Sequence, residues 1–333
     1  MGEDRVRGII AALPTPFDPW GAPNLPIFVD LARHMLDHGC DGLNILGTTG
    51  EAMSLSVDER ERIMAAAAAS LPRERLTVGT GATSITDAVR LTRTAAMLGF
   101  AGALILPPFY YRGVTAHGIL AYMSAIIAGT SDRPIPIYLY HYPSLTGVPW
   151  SLDLIEELLH RFPDRIVGIK DASGDVEFAR AAARISDNLK VYPTSEALLM
   201  EARMSRFAGI MSSTIGLNAD LCVEAWDNGH EAALAQAVRI RRLLDGMNVV
   251  TAVKGMLAEM HHMPELSWVR PPLVAMPTED GIRLHAAAMA IRSEGTPTMA
   301  DNQRAQQHDT DISAPSDVVN LDRFQRNHAS NQV

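Results

Sequence analysis

The run "RIVGIKDASGD" (165–175) carries a lysine, Lys170, at the end of the apolar stretch Ile166-Val167-Gly168-Ile169. A β-branched run bounded by polar and glycine residues reads as a buried strand. Lysine is rarely fully buried unless it is paired or used. A lysine amine attacks a ketone only when neutral, and an ordinary lysine, with a pKa of about 10.4, is charged at neutral pH. Desolvation in an apolar pocket lowers that value. Such chemistry needs a proton carrier, and "IPIYLY" (135–140) ends in the phenol of Tyr140, suited to carbinolamine and aldol steps. It also needs a grip on the substrate. "GTTG" (47–50) offers glycine-flanked backbone N–H groups and the hydroxyls of Thr48 and Thr49, a cradle for a carboxylate. A carboxylate beside a ketone is an α-keto acid. Together these residues imply an imine on Lys170 that withdraws electrons from the adjacent carbon, so that a C–C bond can break or form.

Taken singly, each has a blander reading. A strand-end lysine commonly snorkels to solvent, "GTTGE" can be a tight turn capping a helix, and Tyr140 can be a core tyrosine with a satisfied hydroxyl. Their weight comes from the elements that position them. Eight apolar runs read as strands: "GIIAAL" (8–13), "GLNIL" (42–46), "LTVGT" (76–80), "GALIL" (102–106), "IPIYLY" (135–140), "RIVGIK" (165–170), "LKVYP" (189–193) and "AGIMSS" (208–213). Between and after them, 26–38, 57–70, 84–98, 115–129, 151–161, 175–186, 195–204 and 218–227 read as helices, the second containing the alanine run 65–69. Alternating strands and helices in this number predict an α/β fold, a (β/α)8 TIM barrel over about 225 residues. An open doubly wound sheet is the alternative; "GTGATS" (79–84) only half resembles a dinucleotide loop and lacks its third glycine.

In such a barrel the active site lies at the C-terminal strand ends. There the sequence places "GTTGEA" after the second strand, "PPFYYRG" (107–113) after the fourth, Tyr140 on the fifth, Lys170 on the sixth, Thr194, Ser195 and Glu196 after the seventh, and Ser212 and Ser213 on the eighth. The expected domain plan is a catalytic barrel over 1–227 and a C-terminal helical extension over 228–295, interrupted by "MPELSWVRPPL". A polar tail over 296–333 reads as mobile or as a purification remnant, with docking of "VVNLDRF" (318–324) on a neighbour as the alternative.

The chain of 333 residues has a net charge of -9 and is 47% hydrophobic. Without a basic stripe, nucleic acid and anionic membranes are poor partners. No run approaches a membrane span, and "MGEDRVRGIIAALPTPF" lacks the apolar core of a signal peptide. Cys40 and Cys222 show no metal or redox spacing. A cytoplasmic protein is expected. His261-His262 lack a third ligand at metal spacing and read as surface histidines. The 16 methionines read as core filler.

Six motifs together resemble the dihydrodipicolinate synthase/N-acetylneuraminate lyase family of class I, Schiff-base, pyruvate-dependent aldolases: "LPTPF" (13–17), "GTTGE" (47–51), "PPFYY" (107–111), "YHYPSLTG" (140–147), "GIKDASGD" (168–175) and "VRPPL" (269–273). The resemblance runs from about Gly8 to Ile291. It implies that Lys170 is the Schiff-base lysine and Tyr140 the catalytic tyrosine. Thr48 and Thr49 would hold the pyruvate carboxylate, with Thr48 also relaying protons to Tyr140. A tyrosine from the neighbouring subunit ends the family's relay. Tyr110 and Tyr111 compete for that position because the motif carries an extra residue; Tyr110 is preferred. The backbone carbonyl of Met211 would face the lysine. The resemblance implies a homotetramer, a dimer of dimers, acting on a small 2-keto acid with no metal and no organic cofactor.

The departures bear on the substrate. Leu145 stands where the synthases carry an arginine for the second substrate's carboxylate, as it does in neuraminate lyases. Glu196 and Ser213 match sugar-binding positions of those lyases, while Pro193 and Ser195 do not, and His141 replaces a common asparagine. Ser144, Thr146, Ser195, Glu196 and Ser213 suit a hydroxylated 2-keto acid better than a second carboxylate. The expected activity is therefore cleavage or formation of a C–C bond between pyruvate and an aldehyde. Dihydrodipicolinate-type condensation with aspartate semialdehyde, dehydration of a sugar-derived 2-keto acid, and a silent keto-acid-binding relative are the alternatives; a metal-dependent aldolase is disfavoured by the absence of clustered ligands.

Overall fold

In the computed structural model, residues 7–294 are described; the tail expected over 296–333 lies outside them. The described residues up to Ile291 pack as one compact unit. Chain order is β1 (Gly8–Ala12), α1 (Leu25–Asp37), β2 (Gly42–Ile45), α2 (Val57–Ser70), β3 (Leu76–Gly79), α3 (Ile85–Leu98), β4 (Gly102–Ile105), α4 (Ala116–Gly129), β5 (Ile137–His141), the single turn α5 (Pro143–Thr146), α6 (Leu152–Arg161), β6 (Ile166–Asp171), α7 (Val176–Ile185), β7 (Lys190–Pro193), α8 (Leu199–Met204), β8 (Gly209–Ser212), α9 (Ile215–Asn228), α10 (Glu231–Arg242), α11 (Val249–His261) and α12 (Thr278–Ser293).

All eight strands are parallel, in the order β7-β6-β5-β4-β3-β2-β1-β8. A parallel bridge between Val191 and Phe207 and the Ala208 N–H to Val191 O bond (2.9 Å) bring the ends of the sheet together. The result is the expected (β/α)8 TIM barrel with extra C-terminal helices. Strand alternation sorts its apolar side chains into two cores. Ile10, Leu104, Tyr138, Tyr140, Val167, Tyr192 and Met211 fill the interior. Ile9, Leu43, Ile45, Val78, Ile105, Ile137, Leu139, Ile169, Val191 and Ile210 belong to the larger cluster shared with the helices. The bulk of Tyr138 is accommodated by glycines on both neighbouring strands: a Cβ at Gly102 or at Gly168 would come within 2.5 Å of its ring.

Helix starts follow local chemistry. Asn24, Ser84, Thr115, Ser151, Asp175 and Asn248 cap α1, α3, α4, α6, α7 and α11 with side-chain oxygens. Ser56 and Glu59 form a reciprocal capping box on α2. The helix expected over 195–204 opens as a 3-10 turn at Glu196–Leu198, and the helix expected from 218 begins earlier, at Ile215, and kinks at Asn218 (φ -149°). Helix α11 is buried over nearly its whole length, Lys254 included, so the C-terminal extension supplies core rather than a surface appendage.

Candidate active site

Sheet register places the two central residues side by side. It shifts between Ile137 and Tyr138, so that Tyr140 pairs with Lys170 rather than with Ile169. Because side chains alternate, a one-residue slip would turn an aliphatic side chain to Tyr140. Lys170 is buried, and its Nζ stands 4.5 Å from the centroid of the Tyr140 ring. Among the described residues no carboxylate lies within ion-pair distance of it. Burial, with nothing to oppose it, lowers its pKa to about 7. A substantial fraction is therefore the free amine at neutral pH.

The Tyr140 hydroxyl lies 3.0 Å from Thr48 Oγ1. Burial pushes this phenol well above its ordinary value, and the Thr48 bond offsets only part of that. It is thus held protonated, as a group that delivers protons to a developing alkoxide must be. Behind it, Trp150 Nε1 donates to Tyr140 O at 3.0 Å. His141, the departure from the common asparagine, turns away from the site. It stacks on Phe178 (4.2 Å) and accepts the Trp150 N–H on Nδ1 at 3.1 Å. Burial lowers its pKa to about 4.

The "GTTG" loop is held between two non-glycine residues in the left-handed region, Leu46 (φ 54°) and Glu51 (φ 52°). It fits against β3 because residue 79 is glycine; a Cβ there would lie 1.9 Å from Leu46 O. The backbone N–H groups of Thr48 and Thr49 meet no acceptor among the described residues, leaving donors for an anion. The far end of the loop is anchored from below. Glu51 pairs with the wholly buried Lys254 (2.6 Å) and accepts the Arg270 N–H (2.9 Å). Lys254 also donates to Thr15 O (2.9 Å), and Thr15 Oγ1 donates to Gly50 O (2.7 Å). The Arg270 guanidinium bonds Glu59, Ser54 O (2.9 Å) and Gly21 O. Sequence reasoning flagged "VRPPL" as a motif without a role and missed Lys254 altogether. A lone lysine inside "VVTAVKGML" was the available signal, since burial there demands a partner.

A cavity of about 460 Å³ opens on this constellation, lined among others by Thr48, Tyr140, Leu145 and Thr146, with Pro272 and Leu273 from the C-terminal strap. Lys170, Thr49, Met211, Ser213, Glu196 and Tyr110 are not among its lining residues. Met211 is buried in the same inner core as Tyr140. Ser213 is half-buried just past the end of β8. Glu196 is 1% exposed and tied into a network: Thr214 Oγ1 and Ser212 Oγ donate to Oε1, and Arg241 Nη1 donates to Oε2 at 2.9 Å. Arg241, absent from the sequence reading, thereby satisfies the carboxylate that the sequence reading assigned to substrate. Tyr110 and Tyr111 stand exposed, 76% and 72%, with their rings edge to face at 5.4 Å. His262 is exposed as expected, but His261 is half-buried and packs edge-on against His34 at 4.7 Å. No group of three or more His, Cys, Asp or Glu suited to a metal occurs among the described residues.

Comparison with known proteins bears on the family and the fold. The sequence model of the dihydrodipicolinate synthetase family matches residues 5–291. A relative from Chloroflexus aurantiacus, described as an uncharacterized DapA-like lyase, is 33% identical over 297 residues, covering 87% of this chain and 99% of its own. Among solved structures, dihydrodipicolinate synthase from Agrobacterium tumefaciens superposes with a TM-score of 0.80 at 28% identity, covering 85% of this chain and 99% of its own. A sialic acid aldolase from Ruminococcus gnavus shares the fold with a TM-score of 0.77 at 22% identity, covering 88% and 98%. With a family model that spans residues 5–291 and a relative 33% identical that covers 87% of this chain, the chain belongs to the dihydrodipicolinate synthetase family.

Proposed function

We propose that the protein is a class I aldolase in which Lys170 forms an imine with pyruvate or a 2-keto acid built on it, and that its favoured direction is retro-aldol cleavage. As a member of this family it is a pyruvate-dependent lyase. The observation that carries the residue assignment is a buried lysine, without an ion-pair partner among the described residues, beside a phenol that contacts the 47–50 loop. In cleavage, the neutral Lys170 amine adds to the C2 carbonyl of a 4-hydroxy-2-keto acid. Tyr140 hands the carbinolamine oxygen a proton, and water leaves to give the iminium. Removal of the 4-hydroxyl proton through the Tyr140–Thr48 pair breaks the C3–C4 bond. Its electrons flow to the iminium nitrogen, and the aldehyde departs. Protonation of the enamine at C3 and hydrolysis then release pyruvate and restore the amine. Thr48 and Thr49 hold the carboxylate throughout. The iminium is the electron sink, so no metal or organic cofactor is required; full activity after exhaustive chelation is the expected result.

Condensation of pyruvate with aspartate semialdehyde is the second reading, supported by the Agrobacterium relative named above. Against it stands Leu145, which faces the cavity and offers a carboxylate nothing. The exposed Tyr110–Tyr111 pair supports assembly through this loop, with Tyr110 completing the relay of a neighbouring copy in a homotetramer. The buried, unbridged thiols of Cys40 and Cys222 support a reducing, cytoplasmic setting. Borohydride reduction in the presence of pyruvate, followed by peptide mass spectrometry, tests the proposal. A reduced pyruvyl adduct on Lys170 is expected. Folded protein without that adduct would refute imine chemistry with pyruvate.

A further inference from the structure

We infer that the aldehyde handled by this site is apolar, an aliphatic or aromatic aldehyde rather than a polyol or an acid; the inference rests on the imine reading above and names its second substrate. Three observations carry it. First, the cavity beyond Tyr140 is walled by Met53, Leu104, Leu106, Phe109, Leu145 and Leu273, and at about 460 Å³ it is larger than a three-carbon acid needs. Second, no lysine, arginine or histidine lies in its lining among the described residues. The one carboxylate there among the described residues, Glu51, is already matched by Lys254 and the Arg270 N–H. Arg112, on the loop after β4, donates to Thr146 O (3.3 Å) and is not a lining residue. An acid or phosphate on the acceptor would be desolvated there without a partner.

Third, part of the polar side-chain capacity around the cavity is spent inside the protein. Glu196, Ser212, Thr214 and Arg241 bond one another and do not line the cavity. The Thr146 hydroxyl shares its proton between Val148 O (2.9 Å) and Tyr142 O (3.1 Å) and accepts the Val148 N–H (3.2 Å). Asn248 spends its carbonyl on the first turn of α11. A polyol entering this cavity would give up its water and find side-chain partners at Ser54, Tyr142 and the Asn248 amide, but would face Met53, Leu104, Leu106, Phe109, Leu145 and Leu273 elsewhere, whereas an apolar chain is favoured by burial against that wall. The aldol adduct remains a hydroxylated 2-keto acid. In condensation, C3 of the Lys170 enamine bonds the aldehyde carbon and the aldehyde oxygen takes up a proton. Hydrolysis then frees a 4-hydroxy-2-keto acid with an apolar tail.

The test is an acceptor panel with pyruvate and the full-length wild-type enzyme. Hexanal and benzaldehyde are set against glyceraldehyde and erythrose, and against glyoxylate and aspartate semialdehyde, with product formation quantified by chromatography. Borohydride trapping on Lys170 is run in parallel. The expected result is a pyruvyl adduct together with a kcat/KM for hexanal or benzaldehyde about tenfold or more above either polar group, the discrimination that one or two methylenes confer in an apolar pocket. An adduct accompanied by equal or better use of a polyol or acidic aldehyde overturns the inference and leaves the imine reading standing. So does an adduct with no aldehyde consumed. The absence of an adduct overturns the imine reading, and this inference with it.

Discussion

Two buried lysines in this barrel show how environment separates roles for one residue type. Lys254 is ion-paired to Glu51 and bonded to Thr15 O. Burial lowers its pKa and Glu51 offsets part of that, which suits a structural cation. Lys170 has no such partner among the described residues, and burial alone brings it to about 7. In the proposed mechanism its reactive form is the neutral amine, so kcat/KM for pyruvate should rise with pH along a limb centred near 7 and level off above it. A limb near the ordinary lysine value would contradict this. Tyr140→Phe removes the proposed proton carrier but keeps the ring over Lys170, so kcat should fall by about 10²–10⁴-fold while borohydride trapping persists at a reduced rate. Leu145→Arg places a cation in a lining that has none. It should raise kcat/KM for glyoxylate or aspartate semialdehyde by about tenfold at the expense of apolar aldehydes.

At the scale of elements, the anion loop is not self-supporting. Its ends take left-handed conformations that cost of order 1–3 kcal/mol each, and helix α11 and the strap at Arg270 hold it in place. Lys254→Met would leave the Glu51 charge buried without its cation. Breaking a buried pair in this way costs about 3–5 kcal/mol, to be read from the midpoint of urea unfolding. Replacing both partners, Lys254→Met with Glu51→Leu, should restore most of that stability because no charge is left stranded. It should not restore pyruvate trapping, since Glu51 also receives the Arg270 N–H that fixes the strap over the cavity. Recovery of both would show that the pair has no positioning role.

For the molecule as a whole, acid is the exposed weakness. Burial and neighbouring histidines lower the pKa values of His34 and His261, and burial brings His141 to about 4. In each case the folded state prefers the neutral ring. As pH falls below about 6.5, the unfolded chain takes up protons first. Stability from these sites is complete above that value and drains away as pH falls through it, for His141 down to about 4. The midpoint of thermal unfolding should therefore drop between pH 7 and pH 5, and less steeply in His34→Gln. Assembly is testable on the same scale. If Tyr110 serves a neighbouring copy, co-refolding Lys170→Ala with Tyr110→Phe should regain part of the activity that each lacks. No regain in mixed oligomers would place the relay within one chain.

Much of this site was legible along the chain. Strand periodicity and β-branched runs marked all eight strands to within two residues at each end, because a barrel strand buried on both faces must be apolar throughout. A lysine closing such a run, and a tyrosine closing the one before it, stood out as the exceptions to that rule. What the chain alone left undecided depended on partners distant in sequence. The register shift at Ile137 that sets Tyr140 beside Lys170 is a property of two paired strands. The Lys254–Glu51 anchor joins residues 203 positions apart. Glu196, which reads as a substrate ligand in sequence, is satisfied by Arg241 from a helix 45 positions away. Local pattern reports which residues must be buried; only the folded chain decides which polar groups are already satisfied and which are left for a substrate.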